Sequence, residues 1–221
     1  MNNSAANTGR VLWAGLRALL VLTVITGVLY PLAVTGIAQV ALPGKANGSE
    51  VKVDGKVVGS ELIGQTYNLP LKDGEETPAP DLKWFQPRPS NGLGTNSVNT
   101  QYKLILSGAT NRSGDNADLI TWVKDAKAAV IKDNSVKGYT VKPSDVPADA
   151  VTSSGSGLDP HISPDYAKLQ VHRVAEKNHL TVAQVDKLVA DHTDDRILGF
   201  IGEPRVNVLQ LNTALKELTK G

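Results

Sequence analysis

The sequence predicts an α+β protein: a single N-terminal transmembrane helix followed by one mixed α/β extracytoplasmic domain. Three observations predict it. No charged residue occurs from Ala18 to Gly44. A hairpin signature, with Asp54-Gly55 between short runs of valine, follows at 51–58. Four stretches with helical apolar spacing occupy the chain after Ala117.

The charge-free run is long enough to cross a hydrocarbon core, which takes about 20 apolar residues in a helix. Pro31 lies inside it. In a membrane such a proline is tolerated where nearby groups satisfy the freed carbonyl, and Thr26 and Thr35 are candidates. Gly15, Gly27 and Gly36 thin the helix surface, which suits packing against another helix. Arg10 and Arg17 precede the run and the first acid is Glu50, so the short tail stays in the cytoplasm and the long C-terminal part lies outside. Lys45 and Lys52 reduce that asymmetry. A cleaved signal peptide would have a shorter apolar region and a small-residue cleavage site, and Val34-Thr35-Gly36 is a poor one. The expected organisation is a tail over 1–10, an uncleaved membrane helix over 11–42 and a soluble domain over 43–221.

In the domain, Val51 and Val53 alternate with polar residues around the Asp54-Gly55 turn. Residues 68–99 are rich in Pro, Gly, Asn and Thr and read as a long irregular segment broken by Trp84-Phe85. The first domain helix spans about 117–133, with Leu119, Val123, Ala126 and Val130 on one face. The second opens at Ser163-Pro164, a cap followed by proline at the first helical position, and ends near Asn178. Ala167, Val171 and Val174 face inward. The third opens with the capping-box pair Thr181 and Gln184, and Val182, Val185, Leu188 and Val189 form its apolar face. The fourth starts after Asn207 and buries Val208, Leu211, Leu215 and Leu218. The apolar run Ile197 to Ile201, bounded by Gly202 and Pro204, is expected to be a strand.

The chain has no cysteine, which excludes disulfides, Cys-ligated metals and a thiol nucleophile. Its formal net charge of +1 argues against a nucleic-acid partner. P-loop and dinucleotide fingerprints are absent. Ser107 to Asn111 weakly resembles the signature sequence of transporter ATPases. His161, His172, His179 and His192 show no i, i+4 pairing and no HExxH, so no metal site is expected. The richest stretch is 151–165. Gly155 and Gly157 would let backbone approach a ligand or partner, and the helix start after Ser163 could hold an anion. Ser156, Asp159 and His161 supply the residue types of a nucleophilic triad. A turn feeding the helix, a docking surface, an anion-binding module and a membrane-anchored periplasmic hydrolase all remain open for the 153–164 loop. Glu203 and Arg205 flank Pro204 and are expected to pair and fix that turn.

Several segments resemble the C subunit of the bacterial Kdp potassium-transporting ATPase. They are SELIGQTY (60–67), WFQPRPS (84–90), SGATN (107–111), SSGSGLDPHISP (153–164), QVHRVA (170–175) and ILGFIGEPRVNVLQLN (197–212). The likeness runs in order from Tyr30-Pro31-Leu32 to the C-terminus. This chain departs from the family in Arg112-Ser113-Gly114, where Leu-Gly-Pro is usual, and over 69–83.

The resemblance implies a non-catalytic accessory subunit that assembles the complex and acts as a catalytic chaperone raising ATP affinity. It implies three partners in the bacterial inner membrane: a channel-like potassium-translocating subunit, a P-type ATPase catalytic subunit and a small membrane subunit. ATP with Mg is used by the catalytic subunit, and no cofactor is held firmly by this chain. Ser154, Gly155, Ser156 and Gly157 are the nucleotide-contact candidates. Gly27, Pro31, Asp159, His161, Glu203, Arg205 and Asn207 are the partner-contact candidates. The expected orientation keeps the domain away from cytoplasmic ATP, so coupling to ATP is expected to be indirect.

Overall fold

In the computed structural model the described residues are 3–71, 73, 77–90 and 107–220. The chain divides into two compact units, Met1–Ser49 and Glu50–Gly221.

The first unit is a long apolar helix with a register change. Helix α1 spans Asn3–Val24, a π-helical turn spans Ile25–Leu29, and α2 spans Tyr30–Ala41. The turn is closed by Tyr30 N–H donating to the Ile25 carbonyl. It lets Pro31 sit in the first turn of a new α segment, where a missing N–H costs least. The Thr26 hydroxyl donates to the Leu22 carbonyl at 2.8 Å. That is not the Gly27 carbonyl that Pro31 leaves without its N–H, so Thr26 does not fill the role expected of it. Ser4–Ala41 is long and apolar enough to cross a membrane. After Leu42 a single turn, α3 (Pro43–Ala46), is tied back to α2 by reciprocal amide bonds between Gln39 and Asn47, each 3.1 Å.

The second unit begins with the antiparallel hairpin β1 (Glu50–Val53) and β2 (Lys56–Ser60). Asp54 and Gly55 both adopt positive φ, 50° and 76°, as the Asp-Gly signature requires. Helix α4 spans Ala117–Asn134, α5 Pro164–Lys177, α6 Val182–Asp191 and α7 Val208–Lys220. The two expected caps form: Ser163 accepts from Tyr166 N–H, and Thr181 with Gln184 completes a capping box; Asn116, accepting from Leu119 N–H, caps α4 as well. A three-stranded antiparallel sheet, ordered β3-β5-β4, joins His161–Ile162, Arg205–Asn207 and Thr193–Asp194.

Helix α5 is the centre of the core. Ala167, Val171 and Val174 are buried as expected, and so are Tyr166, Leu169, Gln170 and Arg173 around the rest of its circumference. It packs on α6, α4 and β5. Val185 and Val189 of α6, Leu211 and Leu215 of α7, and Phe85 close the same cluster. Val182 stays exposed, while Leu188 is partly buried against the core.

Two expectations are corrected. Ile197 to Ile201 is not a strand but the tip of the hairpin linking β4 to β5. Gly199 and Gly202 at φ 81° and 83°, with Leu198 at 55°, turn the chain there. Glu203 and Arg205 do not pair. Glu203 meets Arg196 at 2.6 Å, and Arg205 faces Asp194 at 3.8 Å across the β4–β5 register. Glu203 precedes β5, and the hairpin brings each of the two side chains to an opposite charge on the other arm. Of the irregular segment 68–99, residues 72, 74–76 and 91–99 lie outside the described set; the remainder is coil with an isolated bridge between Asn68 and Pro80.

Candidate functional site

The 153–164 loop is joined to the 202–207 segment by a strand pair. His161 is opposite Asn207 and Ile162 opposite Val206. The join continues through Val208 N–H, which donates to the Pro160 carbonyl at 3.0 Å. Asn207 is buried and holds two other elements. Its Nδ2 donates to the Glu61 carbonyl at 2.7 Å, and its Oδ1 accepts from Gln210 N–H in the first turn of α7.

Within the loop the backbone donors from Gly157 to His161 have internal acceptors. Gly157 N–H donates to the Ser154 carbonyl, and Leu158 N–H to the Ser156 hydroxyl. Asp159 N–H reaches the Ser154 hydroxyl at 3.4 Å. His161 N–H donates to Asp159 Oδ1 at 2.9 Å, and His161 Nδ1 lies 3.3 Å from the same oxygen. Ser156 is directed to Leu158 N–H and to the Ser154 hydroxyl, whereas His161 Nδ1 is directed to Asp159. The three triad residue types are therefore close in sequence without forming the relay of serine to histidine to aspartate. The start of α5 is also occupied. Asp149 accepts from Ser163 N–H at 2.7 Å and from the Ser163 hydroxyl at 2.9 Å. A carboxylate from the chain itself sits where an anion would bind.

Arg88, from the 84–90 segment, clasps the loop from outside. Its guanidinium reaches Asp159 Oδ2 at 3.3 Å, the Ser153 carbonyl at 3.2 Å and the Thr152 carbonyl at 3.4 Å. Burial alone would raise the Asp159 pKa. The hydrogen bonds from His161 and the positive charge of Arg88 outweigh it and hold the carboxyl below its ordinary range. The Ser156 carbonyl accepts from Gly108 N–H at 2.8 Å, and the Gly157 carbonyl accepts from the Ser90 hydroxyl. Gly157 has φ +69°, and a Cβ there would meet the Gly108 carbonyl oxygen at 2.9 Å. Gly155 faces open space. A cleft of about 730 Å³ runs between this loop and α4, with Ser90, Ser107, Trp122, Val123 and Gly157 in its walls.

Residues that the sequence did not single out organise this region. The stretch Trp84 to Gln86 is held like a strand, but by side chains. Asn212 brackets Phe85, accepting from its N–H and donating to its carbonyl, both at 2.9 Å. Gln170 does the same for Gln86, at 2.7 and 3.1 Å. Arg173 is fully buried and donates to the carbonyls of Leu82 and Trp84, to Asn134 Oδ1 at 2.8 Å and to Gln170 Oε1 at 2.6 Å. Burial brings its pKa down to about 10, so it stays charged at neutral pH. Gln170 and Arg173 are polar residues next to the apolar inward positions of α5, and their partners lie in the distant 82–86 segment. Such positions are filled by polar groups only when those groups have partners.

Glu203 and Arg205 lie in the β4–β5 hairpin, outside the loop network. Gly27 lies within the π turn and Pro31 just after it, in the first unit. Among the described residues no group of three or more His, Asp or Glu is arranged to hold a metal ion.

The family profile described as "K+-transporting ATPase, c chain" matches residues 12–217. A protein of Streptomyces avermitilis named "Potassium-transporting ATPase KdpC subunit" is 80% identical over 218 residues, covering 99% of this chain and 98% of its own length. A Mycobacterium tuberculosis protein of the same name is 44% identical, covering 95% of this chain and 99% of its own length. One from Kineococcus radiotolerans is 43% identical, covering 98% of each.

Proposed function

The chain belongs to the KdpC family, the c chain of K+-transporting ATPases, and from that membership we propose that it is a non-catalytic accessory subunit of a high-affinity, ATP-driven potassium uptake complex. The observation that carries this reading is the continuous match over residues 12–217. In this reading the helix anchors the chain in the bacterial inner membrane with its N-terminus in the cytoplasm. The domain then lies outside, against a channel-like potassium-translocating subunit. A P-type ATPase subunit performs the chemistry with ATP and Mg, and a small membrane subunit completes the set.

The internal bonding of the 157–163 part of the loop supports a structural and docking role over chemistry. The amides of Gly157, Leu158, Asp159 and His161, the Ser154 and Ser156 hydroxyls and Asp159 are engaged within the loop and with Arg88. Ser156 lacks the histidine contact a hydrolase would need. We therefore assign the rise in ATP affinity to an indirect effect. Docking of the domain biases conformations that the distant catalytic site also biases.

A tag after Gly221, gentle solubilisation and identification of what comes away tests the subunit assignment. Recovery of a P-type ATPase and a channel-like subunit with potassium-stimulated ATP hydrolysis is expected; recovery of the chain alone would overturn it. The chaperone role is tested by complexes lacking residues 45–221. A raised KM for ATP is expected, and unchanged ATP affinity with unchanged potassium selectivity would remove that role. Orientation is tested by a cysteine at exposed Gly155, unique in this chain. It is expected to react with an impermeant maleimide added outside intact cells.

A further inference from the structure

Tyr67 carries the one buried side-chain oxygen or nitrogen among the described residues that has no hydrogen-bond partner. The residue is 2% exposed, and its ring lies tilted against Trp84 with 6.1 Å between centroids. Burial raises the pKa of the phenol and keeps it neutral, and the nearby Asn212 amide offsets this only in part. The hydroxyl therefore has a proton to donate and no acceptor. Buried polar groups in folded proteins are paired with protein or with ordered water, because an unpaired one is costly. Tyr67 lines a cavity of about 20 Å³ between the β1–β2 hairpin and α7. Val53, Val58 and Leu209 give the cavity apolar walls, and Asn212 and Thr213 bring polar groups from successive positions of α7. The two bonds from Asn212 to the Phe85 backbone use one amide hydrogen and one lone pair of Oδ1, and the group has one more of each.

We propose that this cavity is a binding site for a single ordered water molecule, which accepts from the Tyr67 hydroxyl and bridges it to Asn212 and Thr213. Volume selects the occupant. One water needs ~10–15 Å³ of room, so the cavity takes one and not two. Polarity selects it as well. Purely apolar cavities stay dry, whereas a buried water makes about three hydrogen bonds, the number that Tyr67, Asn212 and Thr213 supply. Lys216 also borders the cavity. Its ammonium would have to shed its own hydration to enter, which costs far more than placing a neutral water there. The bound water gives Asn212 a second task. On one side Asn212 clamps the Phe85 backbone. On the other, through the water, it holds Tyr67. The segments 60–67 and 84–90 are thereby fastened to the same turn of α7, in a network whose bonds strengthen one another. This site stands whether or not the chain acts as a transport subunit.

The test is an experimental structure of the full chain at a resolution that shows ordered water. One density peak is expected at about 2.6–3.2 Å from Tyr67 Oη, and within the same range of a polar atom of Asn212 or Thr213. Tyr67→Phe is expected to lose that peak and to shift the unfolding equilibrium of the full chain in detergent ~three- to tenfold toward the unfolded state. Thr213→Val, which keeps the shape and removes the hydroxyl, is expected to act in the same direction. Both side chains hold one water, so the double variant is expected to cost less than the two single costs added together. A cavity with no peak, or Lys216 Nζ in hydrogen-bond contact with Tyr67 Oη in its place, would overturn the proposal. So would a Tyr67→Phe chain as stable as the parent or more stable, the outcome for a hydroxyl with no bond to lose. Strictly additive costs in the double variant would overturn it too.

Discussion

Asn212 and Phe85, 127 positions apart in sequence, form a closed ring of two hydrogen bonds, each 2.9 Å, between one side-chain amide and one backbone amide. Phe85 is completely buried, so its backbone groups have no access to water. A sheet would normally satisfy them with a neighbouring strand. Here a helix supplies the equivalent through a side chain. Asn212→Leu keeps the volume and removes both bonds, leaving a buried donor and a buried acceptor unpaired. At ~1–3 kcal/mol for each orphaned group, a loss of ~2–5 kcal/mol is expected in urea unfolding of the full chain in detergent. A loss below ~0.5 kcal/mol would show that water replaces Asn212.

Arg173 extends the same logic to a charge. Its fork reaches two carbonyls, Asn134 and Gln170 at once. A lysine has one nitrogen and no planar fork to span them. Arg173→Lys is expected to destabilise by ~3 kcal/mol or more, since a buried charge would keep too few partners. Gln170→Glu is the informative second variant. It places a carboxylate beside Arg173 but removes the donor to the Gln86 carbonyl. Partial recovery of stability in the Arg173→Lys, Gln170→Glu pair would identify charge as the missing element. No recovery would identify the hydrogen-bond fork.

The two loop glycines separate folding from contact. Gly157→Ala puts a methyl 2.9 Å from the Gly108 carbonyl oxygen at φ +69°. Both the clash and the backbone strain are destabilising, by ~1–3 kcal/mol. Gly155→Ala meets nothing within 4 Å and is expected to stay within ~0.5 kcal/mol of the parent. Thermal unfolding checks both. If Gly155→Ala leaves stability intact yet raises the KM for ATP in the assembled complex, position 155 touches a partner or ligand. An unchanged KM confines the role of this loop to its buried side.

Asp159 gives the domain an acid-sensitive contact. Its carboxyl pKa is lowered in the folded chain from an ordinary value of 3.8. A depressed carboxyl favours the fold when ionised, so its contribution is fully present above about that value. It fades as pH falls through the lower, folded-state pKa. Asp159→Asn removes the carboxylate that faces Arg88 and His161. The variant is expected to be less stable than the parent at neutral pH and to show a shallower loss below pH 3.8. Parallel stability curves across that window would show that Asp159 is not the group responsible.

Signals that act over a few residues were legible in the sequence. Asp54-Gly55, Ser163-Pro164 and the Thr181–Gln184 box each specify geometry within one turn, and each forms. The inward stripe of α5 was legible too. Its polar members, Gln170 and Arg173, were not, because their partners are more than 80 positions away, in the 82–86 segment. The 197–201 run misled for a related reason. Apolar residues in sequence announce burial against something, and nothing local says whether that something belongs to the same chain. Glu203 and Arg205 are adjacent enough to pair on paper, but the hairpin gives each a partner on its other arm. The closeness of the 153–164 and 202–207 segments became visible only through the β3–β5 pairing of His161 with Asn207.

Pro31 follows a π turn that offsets the two halves of the long apolar helix. The π turn at Ile25–Leu29 inserts one residue into the helical register. At 3.6 residues per turn, one residue rotates the segment before it by ~100° relative to the segment after it. Pro31 favours this arrangement because it lacks the N–H that would bond to the Gly27 carbonyl, and because its ring crowds that carbonyl in a continuous α-helix. Pro31→Ala restores the donor and removes the ring, so the turn is expected to relax to regular α-helix. Residues 12–24 would then present a face rotated by ~100° to whatever packs against residues 32–41. A single-cysteine crosslinking scan of positions 12–24 in the assembled complex reads this directly, since the chain has no cysteine of its own. The reactive positions are expected to shift by one residue in Pro31→Ala, with a fall in recovery of the partner subunits. An unshifted pattern at full recovery would mean that the π turn is held by the sequence around Gly27 and not by the proline. In that case Gly27→Leu, which fills the helix surface at the turn, becomes the variant that disrupts packing.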